Sequence, residues 1–185
     1  LLHDARGDAS RLAPLVRSLP AANGSAMQRM PLFFARKAIE SWQQAESSNA
    51  LDALTQAQYH REHAVFHLYR GALALIHEVA DRYRWPLVDA RQVEAVLVPS
   101  VVQRFPGPEL AELTELADSK GTWLAGVIGA WQRLQAPPVP ADSKAESLIA
   151  SSAVATTEWG SADAQEALQA LSERVAAYRD GMQEW

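Results

Sequence analysis

Four of the five histidines in this chain crowd into one stretch: His60, His63, His67 and His77, with Arg61 and Arg70 set among them. On a helix, His63 and His67 stand four apart on one face, and His60 lies one turn earlier on the same side. Imidazoles at that spacing can chelate a metal ion, with Glu62, Glu78 or a residue from another helix as a further ligand. His60, His63 and His67 are therefore the candidate metal ligands. The zinc-protease pattern H-E-x-x-H and the Glu-x-x-His pair of di-iron bundles are both absent. The plainer alternative places these histidines at a helix boundary, bonded to water or to neighbouring side chains.

A second chemistry is phosphodiester cleavage. Some helical ribonucleases of the HEPN superfamily carry an Arg and a following His with four to six residues between them. Arg61 to His67 and Arg70 to His77 show comparable spacing. Histidine would act as acid or base, and arginine would stabilise a pentavalent phosphate. Arg61, His67, Arg70 and His77 are thus the catalytic candidates. The polar residue often found after that Arg is missing: Glu62 follows Arg61 and Gly71 follows Arg70. Glu109, Glu112 and Glu115 also repeat every three residues and read as one solvated helix face opposite Leu110, Leu113 and Leu116. There is no Gly-rich phosphate loop and no G-x-S-x-G elbow. The tryptophans read as packing anchors, because basic residues do not interleave with them. No cofactor is implied.

Composition narrows the classes. The 185 residues carry a net charge of −5, which argues against a general nucleic-acid binder. With 48% hydrophobic residues the chain can bury a proper core. It has no cysteine, so disulfides, thiolate metal sites and cysteine nucleophiles are excluded. No apolar run reaches the roughly 18 residues that span a membrane. The N-terminus lacks a signal-peptide pattern, and a bacterial, cytoplasmic setting is the default expectation.

The element that must position the histidines is residues 52–84. It holds one glycine and no proline. Leu54, Ala57, Ala64, Val65, Leu68, Ala72, Leu75, Ile76, Val79 and Tyr83 recur in steps of three and four, which predicts one helix roughly 50 Å long. Residues 27–47 predict a preceding helix buried through Leu32, Phe33, Ala35, Ile39 and Trp42, with Pro31 in its first turn. Residues 47–49 are too short to do anything but turn the chain back, giving an antiparallel hairpin whose second helix starts at Ser48 or Asn49. Further helices are expected over 88–97, ended by Pro99, and over 109–117, after Pro108. Another is opened by Thr122 and reaches Gln135, with Trp123, Leu124, Val127, Ile128, Trp131 and Leu134 buried. A proline tether spans 136–140. Leu148, Ile149 and Val154 form an extended piece or lie over the bundle. The last helix, capped by Ser161 or Asp163, reaches about Met182 through Ala164, Leu168, Leu171, Val175 and Tyr178, and Trp185 tucks against the bundle.

Residues 1–26 look different. They predict a short helix to Leu19, ended by Pro20 and followed by a small-residue linker. The start at Leu and the scar-like run Gly24-Ser25-Ala26-Met27 mark them as an N-terminal arm or a non-native, fused segment. Residues 27–185 form a single domain.

From about Phe33 onward the chain resembles a family of small, uncharacterised gammaproteobacterial helical proteins, a domain of unknown function. The matching stretches are FFARKAIESWQQA (33–45), REHAVFHLYRGALALIHEVADRYRWP (61–86), PELAELTELADSKGTWLAGVIGAW (108–131) and YRDGMQEW (178–185). The resemblance implies an all-α domain and supplies no catalytic residue.

The expected architecture is therefore all-α: a helical bundle on a long antiparallel hairpin, with shorter covering helices and a C-terminal helix. The expected function is that of a non-enzymatic cytoplasmic accessory or protein-interaction protein, with a protein partner or a homodimer through a long-helix face. Neither a membrane nor a nucleic-acid partner is expected. The alternatives are a metal- or phosphate-directed enzyme on the His/Arg face and a small-molecule-binding bundle with a pocket along the Trp123/Trp131 helix.

Overall fold

The computed structural model of the chain describes residues 24–137 and 158–183, and among them there are seven helices and no strand. The expected helix ending at Leu19, most of the tether, Leu148, Ile149, Val154 and Trp185 lie outside the described residues. The helices are α1 (Gly24–Glu46), α2 (Ala53–Arg82), α3 (Val93–Val96), α4 (Pro99–Arg104), α5 (Pro108–Asp118), α6 (Trp123–Gln135) and α7 (Ser161–Gln183). None is long and apolar enough to cross a membrane. The chain is an all-α bundle, as the periodicity predicts.

The hairpin α1/α2 is the spine. Ala35, Ala38, Ile39 and Trp42 of α1 pack onto Ala64, Val65, Leu68, Ala72, Leu75, Ile76 and Val79 of α2, all buried. Three details correct the expectation. Pro31 lies inside α1 rather than in its first turn. Leu54 belongs to no buried face: it is 88% exposed, while Ala53 and Gln56 are the first-turn residues set beside Gln44 and Ala45 of α1. The N-cap of α2 is Asp52, later than Ser48 or Asn49, and its side chain accepts from Gln56 Nε2 rather than from the helix backbone. Gly71 sits where α7 crosses α2: a Cβ there would stand 2.9 Å from Leu171 Cδ2.

Residues 88–104 differ most. The expected helix over 88–97 shrinks to one turn, α3, and Pro99 opens α4 instead of ending a helix. Proline fits the first helical position, where its missing N–H has no intrahelical partner to lose. Beyond this, Pro108 starts α5 and Thr122 caps α6 by accepting the Ala125 N–H at 3.2 Å. Leu124, Val127 and Ile128 are buried, while Trp123, Trp131 and Leu134 only lean on the core. The closing helix α7 buries Ala164, Ala167, Leu168, Leu171, Val175 and Tyr178. At its start, Asp163 accepts the Gly160 N–H at 2.8 Å.

Candidate functional site

The His/Arg segment of α2 splits between two sides of the helix. Arg61 faces inward along one flank. Its Nε donates to the Trp159 carbonyl at 3.4 Å, and its guanidinium stands 3.5 Å from Glu158. It thereby ties α2 to the entry of α7, whereas His67 lies on another face. Arg70 and His77 do share a face and line one shallow cleft with Met30 and Phe34. Their contacts differ: Arg70 lies 5.5 Å over the Phe66 ring, and His77 Nε2 is 2.9 Å from the Ala90 carbonyl. That bond pins the segment after α2 back onto the helix.

His60, His63 and His67 run along the flank away from Arg61, on the side of Arg70, among aromatic rings. Tyr59 meets His63 at 4.3 Å and His60 at 5.1 Å between centroids, and His63 is 6.3 Å from His67. His67 touches Phe34 and Phe66, each at 5.1 Å. Among the described residues, no three His, Asp or Glu side chains are grouped to hold a metal ion. His67 Nδ1 is buried with no hydrogen-bond partner. Burial, and then the nearby Arg70 and His63, hold the His67 pKa below 6.5. A ring in this position is neutral at pH 7.

What the geometry assembles here is an aromatic surface. Phe33 of α1, expected in the core, is 54% exposed and sits 6.0 Å from Phe34. Two adjacent phenylalanines on a helix point about 100° apart, so packing Ala35 and Ile39 inward leaves Phe33 outside. Met30 is 59%, Tyr59 54% and Phe66 41% exposed. Phe66 continues to Trp131 of α6 at 5.9 Å. The rings thus form an unbroken path across α1, α2 and α6. The doublet Phe33-Phe34 was the available sequence signal for this exposed side, since both cannot face one core.

The carboxylates of α5 are not one solvated face. Glu109 accepts the Tyr83 hydroxyl at 2.9 Å. Glu112 pairs with Arg174 and accepts the Tyr178 hydroxyl at 2.8 Å, so it joins α5 to α7. Only Glu115 stands exposed. The three-residue step drifts round the helix and brings the first two against neighbours. Trp131 stacks on Tyr69 at 4.7 Å, and Trp123 edges a cleft of about 310 Å³ beside Trp159.

A family model described as a family of unknown function (DUF6586) matches residues 7–185. The match reaches further toward the N-terminus than the resemblance from Phe33. No curated protein and no solved structure matches the chain.

Proposed function

The chain belongs to that family of unknown function, and we propose that it is a non-enzymatic, cytoplasmic interaction protein that pairs with a second copy of itself through the α1/α2 face. The observation that carries the reading is the exposed aromatic surface of Phe33, Phe34, Tyr59 and Phe66, joined through His63 and His67, with exposed Met30 beside Phe34. Contiguous exposed apolar surface on a helical face marks an interaction site, and aromatic residues with Met and Arg are enriched at interface cores.

Charge favours a copy of the same chain as the occupant. The hairpin-tip end of the face carries exposed Asp52, with Glu40 already paired to Lys37 at 3.2 Å, and the other end carries exposed Arg29 and Arg70. A two-fold axis across the middle of the face sets each acidic end against a basic one and the aromatic centres against each other.

Sedimentation of the full chain tests this. The wild type is expected to dimerise, and Phe33→Glu and Phe66→Glu are each expected to weaken the dimer at least tenfold, about 1.4 kcal/mol. Both substitutions are at exposed positions, so circular dichroism should stay unchanged. A wild-type chain that remains a monomer at every concentration overturns the proposal, as does a dimer indifferent to both substitutions.

A further inference from the structure

The C-terminal turn of α2 is built at a cost. Trp85 N–H donates to the Ala80 carbonyl at 2.8 Å and Arg84 N–H to the Asp81 carbonyl at 3.1 Å. These two bonds close a Schellman motif, and its left-handed residue is Arg84, at φ +55°. Glycine takes that conformation without steric penalty, and an L side chain does not. Something other than the turn accounts for an arginine here, and the cavity it borders offers a reason.

That cavity, about 650 Å³, lies between the end of α2 and residues 85–91. The volume is within the range of small-molecule sites. Trp85, Val88 and Ala80 form apolar walls, and Arg84 and Arg91 also line the space. The walls are fixed in advance. Trp85 stacks on Tyr83 at 4.5 Å, Arg91 donates to the Val88 carbonyl at 2.9 Å, and His77 holds Ala90. Two carboxylates also border the space. Glu78 is engaged by both Nε and Nη2 of Arg179, at 2.7 and 3.1 Å. Asp81 is left against two arginines, and the balance is one positive charge.

We propose that this cavity binds a small monocarboxylate with an apolar body, the carboxylate taken by Arg84 and Arg91 and the body laid against Trp85 and Val88. A guanidinium presents a planar fork of donors that matches a carboxylate. The single surplus charge fits a monoanion better than a phosphate dianion. Arg84 combines a left-handed backbone with a place in the cavity lining, and a strained residue at a ligand-sized space is a reason to look for function there.

The test uses octanoate as probe, with octanol and octylammonium as its uncharged and cationic counterparts. Proton–nitrogen NMR of the full chain follows the Trp85 indole N–H, identified by its loss in Trp85→Phe. Octanoate is expected to shift it saturably, with octanol and octylammonium at least tenfold weaker. Arg84→Gly is the decisive variant. It relieves the left-handed strain, so Tm should rise by about 2–4 °C. It also removes one guanidinium, so octanoate affinity should fall at least tenfold. No saturable shift with octanoate overturns the proposal, and so does equal binding of octanol or octylammonium. A stabilised Arg84→Gly chain that binds octanoate like the wild type overturns it too.

Discussion

Tyr69 is a single side chain that joins three parts of the bundle. Its hydroxyl donates to Glu94 Oε2 at 2.6 Å and accepts the Val93 N–H at 2.9 Å, while its ring lies flat on Trp131. Burial, reinforced by the bond to Glu94, pushes its pKa far above 10, so the phenol stays protonated throughout the useful pH range. Val93 is fully buried, and its N–H has no water to turn to. Tyr69→Phe keeps the ring and removes only the oxygen. The expected cost is about 1–3 kcal/mol, from a buried donor left without an acceptor. Urea unfolding should show a lower midpoint at unchanged slope. Nothing in the spacing of α2 singled out Tyr69, because its partners lie beyond the end of the helix.

At the scale of elements, the caps decide where the shorter helices stand. Thr122 accepts the Ala125 N–H with its hydroxyl oxygen and donates the hydroxyl proton to the Leu116 and Ser119 carbonyls. It therefore ends α5 and begins α6 with one side chain. Thr122→Ala should destabilise the chain by about 1–2 kcal/mol, and Thr122→Ser should recover most of that, as read by thermal or urea unfolding. This cap was legible from residue type and position, and so were the long helices, whose apolar residues recur at three and four over many turns. The 88–104 stretch was not legible. Pro99 is compatible with both an end and a beginning, and only the packing of α4 beside α5 decides between them. The candidate site was legible in part. The histidine spacing showed which rings share a flank of α2. The contact of Phe34 with His67, and those of Glu158 and Trp159 with Arg61, come from sequence separations that no local pattern reports. Arg84 shows the sharpest limit: its left-handed backbone is invisible in a run that reads like any helix end.

For the whole molecule, the pH dependence of stability follows from where His67 sits. Its ring is held between Phe34 of α1 and Phe66 of α2, with Nδ1 cut off from water. The folded pKa is held below 6.5 by burial first, then by Arg70 and His63. Below pH 6.5 the unfolded chain binds a proton at this residue that the folded chain does not, so the linkage favours unfolding as pH falls. The contribution is complete at neutral pH, is lost as pH drops from 6.5 toward the folded pKa, and then levels off. A pH titration of the wild type alone mixes every titrating group in the chain. His67→Phe separates them. Phenylalanine fits an aromatic neighbourhood and brings neither a buried unpaired nitrogen nor a titrating proton. Its unfolding free energy should fall less steeply than the wild type's between pH 7 and 5, while the two converge in slope above pH 7. Parallel curves across the whole range would mean that His67 titrates alike in the folded and unfolded chains, and that its buried nitrogen finds water after all.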